Sequence, residues 1–129
     1  MSETALNAKD CRPMAKDAAL DEPGQYAPEW VVSGPDGFAG EYLEATNYRS
    51  EDGTFVVRLW QCEAGVLQAG NYPFDEYFLV LEGRVIVTNR RTGTVSEYGP
   101  GDTGMLTKGG NFTWDMPVRF LKQYVRMEK

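Results

Sequence analysis

The chain lacks histidine altogether, and it contains only two cysteines among 129 residues. Histidine is the commonest side chain that binds zinc, iron and manganese, so the usual imidazole metal site cannot be built here. Cys11 and Cys62 form no CxxC pair and no spacing typical of a zinc site or a secreted disulfide framework. We therefore expect two free thiols, no stoichiometric transition metal and no cofactor.

Positive charge and long apolar runs are also scarce. Thirteen Lys and Arg stand against nineteen Asp and Glu, a formal net charge of −6 that would repel a phosphate backbone. No run approaches the roughly 18 apolar residues that a membrane-spanning helix needs. The first twenty residues lack the basic start, apolar centre and cleavage site of a secretory signal. We expect a cytoplasmic protein that binds neither nucleic acid nor membrane.

The composition is that of one folded domain. Hydrophobic residues make up 42% and aromatic residues 12% of the chain, enough for one sizeable core. The residue composition changes near Pro23-Gly24, where a charged, alanine-rich N-terminal segment is followed by aromatic and β-branched residues. We predict an N-terminal arm over residues 1–24, either flexible or partly ordered, and one domain over residues 25–129.

Beyond residue 41 the apolar residues recur at every second position, which is the period of a β-strand. Glycine, proline and asparagine turns separate these segments, and helix signals are nearly lacking. The pattern predicts an all-β fold, a single antiparallel sandwich or barrel with an N-terminal arm. The predicted strands are 41–47, 54–62, 76–82, 84–89, 94–98, 103–107, 112–115 and 118–126.

Two sequence blocks resemble the conserved motifs of cupins. In the first, Glu76 stands seven residues before the turn glycine Gly83, as in the first cupin motif. In the second, Pro100-Gly101-Asp102 leads through Lys108-Gly109 to Trp114, as in the second motif. Both motifs occur in the cupin order, so the resemblance implies the cupin jelly roll, also called the RmlC-like fold.

Finer details resemble the histidine-poor cupins related to the EutQ-type and ureidoglycine aminohydrolase-like domains. In that branch a segment like residues 59–65 precedes a tyrosine, here Tyr72, and an acidic pair, here Asp75-Glu76. The domain then closes with a tryptophan and a strand like residues 118–124. This resemblance covers roughly residues 40–126.

The chain departs from metal-binding cupins at the positions of their histidines. Counting back from Glu76, the histidine pair would fall on Gly70 and Tyr72, or on Ala69 and Asn71 with the longer spacing. The histidine of the second motif falls on Phe112, which cannot ligate a metal. The resemblance therefore does not carry over manganese-dependent ammonia release, dioxygenase or decarboxylase activity.

A pocket walled by aromatic side chains is expected in the barrel, the usual composition of a small-ligand site. Strand alternation places Glu76, Phe78 and Val80 on one face of their strand, and the cupin resemblance implies that this face is the interior one. Glu76 is the candidate catalytic residue, as a general acid or base paired with Tyr72 or Lys108. The candidate pocket residues are Trp60, Tyr72, Glu76, Phe78, Lys108, Phe112 and Trp114.

Each candidate also has a purely structural interpretation. The aromatic residues can be core packing, and Glu76 can be a carboxylate bonded to a tyrosine hydroxyl or to a lysine or arginine across the barrel. Lysine is rarely buried unless paired, so we expect Lys108 and Lys122 to be solvated.

Three functions remain open from the sequence. The first is a metal-free cupin that binds a small polar or cationic metabolite. The second is a metal-independent enzyme that uses Glu76 on a small metabolite, and the third is a structural dimerisation module. We expect a homodimer in each case, since an all-β domain must protect its strand edges.

Overall fold

Eleven β-strands and two short 3-10 helices form the regular structure of the computed structural model, which describes residue 11 and residues 13–128. The helices span Pro28–Trp30 and Pro35–Gly37. Within this described part of the chain there is no α-helix, and no helix is long and apolar enough to cross a membrane. The strands are β1 (Glu22–Gln25), β2 (Val31–Ser33), β3 (Glu41–Arg49), β4 (Phe55–Cys62), β5 (Gly65–Ala69), β6 (Glu76–Glu82), β7 (Val85–Asn89), β8 (Val95–Tyr98), β9 (Thr103–Leu106), β10 (Phe112–Met116) and β11 (Phe120–Met127).

The strands form two antiparallel sheets that pack face to face. The six-stranded sheet has the order β1-β3-β4-β11-β6-β9, and the five-stranded sheet has the order β2-β5-β10-β7-β8. Every strand pairing is antiparallel. The prediction of an all-β antiparallel sandwich is therefore confirmed.

The core lies between the two sheets. On β6 the side chains of Glu76, Phe78 and Val80 are buried while Tyr77 is exposed, which confirms the predicted interior face. The interior side chains of β4, β10 and β11 add Trp60, Trp114, Phe120 and Tyr124 to the same cluster. The interior of the sandwich is thus filled mainly by aromatic rings, with polar groups at defined points.

Residues before the first strand cover part of the outer face of the six-stranded sheet. Ala18 and Leu20 pack against a small cluster of Ala45, Leu59 and Leu121 on that face. The Asn47 side-chain amide donates a hydrogen bond to the carbonyl of Ala15. Residues 15–20 of the predicted arm therefore lie against the domain, whereas residues 1–10 and 12 lie outside the described residues.

Strand β1 crosses the predicted limit between arm and domain at residue 24. Its residues pair with β3, and the Glu22 carboxylate accepts hydrogen bonds from the backbone N–H and the hydroxyl of Thr46. These bonds hold a segment, Glu-Pro-Gly-Gln, that has no intrinsic preference for a strand.

All eight predicted strands are present, with ends that differ by at most two residues. Strands β1, β2 and β5 were not predicted. β2 has three residues, and β5 is a five-residue segment that begins with glycine. β2 is too short to show an alternation, and in β5 the apolar residue Val66 stands at an outward position and interrupts it.

Candidate functional site

A buried ion pair joins the neighbouring strands β6 and β11. Lys122 Nζ lies 2.6 Å from Glu76 Oε2, and the two side chains are 7% and 2% exposed. The other carboxylate oxygen, Glu76 Oε1, accepts a 2.7 Å hydrogen bond from the Tyr72 hydroxyl. Glu76 is therefore buried with both oxygens bonded, which is how proteins accommodate a charge in their interior.

The ammonium group of Lys122 is surrounded by aromatic rings. Its nitrogen lies 4.7 Å from the ring centroid of Trp114 and 4.9 Å from that of Trp60. Phe78 and Tyr124 lie at 5.5 and 5.3 Å. These distances are within the range of cation–π attraction. The expectation that Lys122 is solvated is wrong: β11 turns this side chain inward, where Glu76 and four rings compensate its lost hydration.

A small cavity of about 30 Å³ lies beside the ammonium group. Its walls combine aromatic and aliphatic side chains with one charged group. Two of the aromatic walls, Tyr26 and Trp30, stack in parallel with centroids 5.7 Å apart. The residues around the cavity are Tyr26, Trp30, Trp60, Leu67, Gln68, Ala69, Tyr72, Leu106, Phe112, Trp114 and Lys122.

Two indole groups of this wall have unsatisfied donors. The Nε1 atoms of Trp60 and Trp114 are buried, and neither has a hydrogen-bond acceptor among the described residues. A buried N–H without an acceptor costs about 1–3 kcal/mol. Such groups in a native protein call for an explanation, and a bound molecule is one.

Burial keeps the tyrosines of the site protonated. Loss of hydration, reinforced by the negative charge of Glu76, holds the pKa of Tyr72 well above its usual value. Tyr72 therefore acts as a hydrogen-bond donor to Glu76. The pKa of Tyr26 is also raised, mainly by burial and then by Tyr72 and Glu76.

A second polar cluster continues along the interior face of the six-stranded sheet. The Tyr124 hydroxyl donates to the carboxylate of Glu44 and accepts a 3.4 Å hydrogen bond from Arg58. Burial raises the pKa of Glu44. Glu128 pairs with Arg58 at 3.4 Å and with Arg126 at 2.8 Å. The two carboxylates of this cluster, Glu44 and Glu128, balance the two guanidinium groups, Arg58 and Arg126.

The structure brings most of the predicted pocket residues together. Trp60, Tyr72, Phe112 and Trp114 line the cavity, and Glu76 is bonded to two of the residues that line it. Phe78 is fully buried and is not part of the cavity wall; its ring instead packs against Tyr98 and Trp114.

Lys108 is not part of this group. It lies exposed on a turn, where its backbone N–H donates to the Asp75 carboxylate, and its side chain does not line the cavity. The lysine beside Glu76 is Lys122. Its inward direction could have been found in the sequence, because it alternates with Phe120 and Tyr124 along β11.

Several other cavity residues were missed by the sequence analysis. Tyr26 and Trp30 precede the recognisable motifs, and Leu67, Gln68 and Ala69 lie on the unpredicted strand β5. Leu106 ends strand β9. Apart from Ala69, which falls on a histidine position of the first cupin motif, these residues lie outside the motifs, and only the three-dimensional arrangement identifies them.

Cysteine and acidic side chains do not gather into a metal site in the part of the chain that the structure describes. No three of them come close enough to share an ion. Cys11 is exposed and Cys62 is buried, and both are free thiols.

The two antiparallel sheets with a cavity between them form the cupin fold, and Glu76 and Tyr72 are directed to the interior. The chain belongs to the EutQ-like cupin domain family, whose model matches residues 49–124. The predicted resemblance is thus confirmed. Tyr26 and Trp30, which contribute to the cavity wall, precede the matched segment.

Solved structures show the same fold at low sequence identity. EutQ, an ethanolamine utilization protein from Salmonella typhimurium, is 17% identical with a TM-score of 0.57, covering 83% of this chain and 96% of that one. A protein of unknown function from Pseudomonas syringae, of the DUF861 family, is 17% identical with a TM-score of 0.74. The match covers 88% of this chain and 46% of that one. EutQ from Clostridium difficile is 12% identical with a TM-score of 0.57, and the match covers 67% of this chain and 62% of that one. No curated protein matches the sequence.

Proposed function

We propose that this cupin domain binds a small polar metabolite in the cavity between its two sheets. The observation that carries the proposal is the cavity itself, which has aromatic walls and a single ammonium group at its side. Small-molecule sites have this composition, with apolar walls for contact area and a few fixed polar groups for orientation. The unsatisfied indole donors of Trp60 and Trp114 support it further.

We propose binding rather than catalysis by Glu76. A general acid or base must reach the proton of its substrate, directly or through one water molecule. Both oxygens of Glu76 are already bonded, to Tyr72 and to Lys122, and the residue is 2% exposed. A substrate would have to break one of these bonds before Glu76 could exchange a proton with it.

A purely structural module is the weaker alternative. A cavity of about 30 Å³ has room for only one or two water molecules, so its size alone does not distinguish it from ordinary packing. Its polar lining does, because it is bordered by Lys122 and by the indole N–H groups of Trp60 and Trp114, which have no acceptor among the described residues. Because the cavity is small, we propose that it receives one end of a metabolite. Tyr26 and Trp30 are only partly buried, and they border the space through which the remainder of the molecule would extend.

A screen by thermal unfolding tests this proposal. A ligand that binds only the folded state stabilises it by about 2.7 kcal/mol at a hundred times its Kd, which raises Tm by several degrees. The screen would contain small acids, amines and sugars. The proposal predicts at least one saturable shift, and a screen without any shift would contradict it.

A cavity-filling variant shows whether such a shift arises in the cavity. Ala69 is buried in the cavity wall, so Ala69→Leu would fill the space without changing a polar group. Ala64→Leu makes the same change on the turn between β4 and β5 and serves as the control. The ligand-induced shift should disappear in Ala69→Leu and persist in Ala64→Leu.

We also propose that the protein is a homodimer. Strands β8 and β9 are edge strands, and each carries a large exposed apolar side chain, Val95 at 61% and Met105 at 55%. Exposed apolar edges favour pairing with a second copy. Light scattering at micromolar concentration should give twice the mass of the chain, and the mass of a monomer would contradict the proposal.

A further inference from the structure

We propose that the molecule bound in the cavity presents a carboxylate to Lys122, Trp60 and Trp114. This inference rests on the proposed function, because it names the chemical class of the ligand for the same cavity. It depends on which hydrogen-bonding groups around the cavity are already used and which remain free.

The place for a cation is already occupied. Lys122 places its own ammonium within 5.5 Å of four ring centroids, those of Trp60, Phe78, Trp114 and Tyr124. Aromatic cages of this kind bind ligand cations in other proteins. Here the charge of Lys122 is balanced by Glu76, and an incoming cation would have to compete with Lys122 for the same rings. The sequence-based alternative of a cationic metabolite is therefore not favoured by this arrangement.

The strong acceptor near the cavity is also used. Glu76 Oε2 accepts from Lys122 and Glu76 Oε1 accepts from Tyr72. The Tyr72 hydroxyl directs its proton to Glu76. The amide nitrogen of Gln68 donates to the carbonyl of Glu29 at 2.9 Å, which holds that side chain toward the rim. A ligand donor would find a neutral acceptor here, the side-chain carbonyl oxygen of Gln68, which forms weaker hydrogen bonds than a charged group.

Hydrogen-bond donors, in contrast, remain free around the cavity. The ammonium group of Lys122 has three protons to donate. Among the described residues, Glu76 is the only one that accepts a hydrogen bond from it. The indole N–H groups of Trp60 and Trp114 are buried without an acceptor in that same part of the chain. A carboxylate is acceptor-only, so its two oxygens complement three donors, one of them charged.

The size of the cavity agrees with a small acceptor group. Its volume of about 30 Å³ admits a group of a few atoms, and aromatic and aliphatic side chains form most of its walls. A short aliphatic carboxylate would place its charged end near Lys122 and its carbon chain against the rings of Phe112 and Trp30. No covalent step is involved, since the ligand is only held.

Three probes of nearly equal shape test the inference. Propionate, propionamide and propylammonium differ mainly in charge and in the number of donors, and they would be titrated at equal ionic strength by calorimetry and by thermal unfolding. We expect saturable binding of propionate, with an affinity at least tenfold higher than that of either analogue.

Two tryptophan variants locate the contact. Trp60→Phe and Trp114→Phe each keep an aromatic ring and remove the indole N–H, so each should weaken propionate binding by about tenfold, the effect of losing one hydrogen bond to a charged group. Tyr77→Phe removes a polar group from an exposed ring on the outer face and should leave the affinity unchanged. A thermal melt of each free variant verifies that it is folded.

The outcomes separate this inference from the function on which it rests. If propylammonium or propionamide binds as tightly as propionate, or if both tryptophan variants keep full affinity, the carboxylate assignment is overturned while the binding function stands. The assignment is equally overturned if none of the three probes binds but the broader screen finds another ligand. If that screen also finds nothing, the proposed function fails as well.

Discussion

Lys122 Nζ and Glu76 Oε2 lie 2.6 Å apart on adjacent strands, and both side chains are almost completely buried. Transfer of two charges out of water costs several kcal/mol per ion, and only close pairing with additional hydrogen bonds offsets this cost. Tyr72 supplies one such bond, and the rings of Trp60 and Trp114 face the cation. The pair therefore fixes one charged donor beside the cavity.

The first prediction concerns the loss of one charge from this pair. Glu76→Gln leaves Lys122 buried without a countercharge and should lower the free energy of unfolding by about 3–5 kcal/mol. Glu82→Gln alters an exposed residue at the end of the same strand and should change it by less than about 0.5 kcal/mol. Denaturant unfolding measures both, and equal midpoints for the two variants would contradict the account.

The second prediction concerns the coupling between the two residues. Lys122→Met should be destabilising by a similar amount, because it leaves the Glu76 carboxylate buried beside only one donor. The double variant Glu76→Gln, Lys122→Met removes both charges and should be clearly more stable than the sum of the single effects predicts. Additive losses in a double-mutant cycle would show that the two side chains do not stabilise one another.

The sequence was sufficient to predict most of the fold. The long strands show clear alternation, as on β6, where Glu76, Phe78 and Val80 alternate with outward-facing residues. Strand β1 could not be predicted, because its residues favour no strand and it is held by β3 and by the two hydrogen bonds that Thr46 donates to Glu22. Its structure depends on tertiary contacts that local patterns do not contain.

The site was predicted less completely. Trp60, Tyr72, Phe112 and Trp114 lie in or near the motifs and were expected in the pocket. Lys122 was expected in solvent, since lysine is seldom buried. Its burial depends on a partner 46 positions earlier in the chain, brought alongside by the pairing of β6 with β11. The alternation along β11 indicates that Lys122 points inward, but which residue lies beside it follows only from the pairing of the two strands.

The third prediction concerns the turn between β6 and β7. Gly83 has a φ of 78°, and a Cβ atom there would lie 2.2 Å from the carbonyl oxygen of Arg119. Gly93 has nearly the same φ, 79°, with no atom within 4 Å of its Cβ position. Gly93→Ala should cost only the backbone strain of about 1–2 kcal/mol, and Gly83→Ala should cost more. Similar unfolding midpoints for the two variants would refute the close approach to Arg119.

The fourth prediction concerns the thiols. Burial raises the pKa of Cys62 to about 12, with a smaller effect from the charge of Glu63. At pH 8 the folded protein should therefore be alkylated rapidly at the exposed Cys11 only, and the denatured protein at both residues. Mass spectrometry counts the labelled sites, and rapid double labelling of the folded protein would contradict the burial of Cys62.

The raised pKa of Cys62 also determines how the free energy of unfolding changes with pH. Because the folded pKa of Cys62 lies above the unfolded value of 9.0, the folded state retains a proton that the unfolded chain loses. The stability associated with the protonated Cys62 thiol is fully present below pH 9 and is lost as the pH rises from 9 toward about 12. In Cys62→Ala the stability should fall less steeply across that interval.

The central claim is that the cavity beside Lys122 binds a small carboxylate. The chain contains three tryptophans, so an amide-detected nuclear magnetic resonance spectrum shows three indole N–H signals. Titration with propionate should shift the signals of Trp60 and Trp114 saturably and more strongly than that of Trp30, since their buried N–H groups gain an acceptor. If all three signals stay unchanged up to saturating propionate, or if only Trp30 responds, the claim is contradicted.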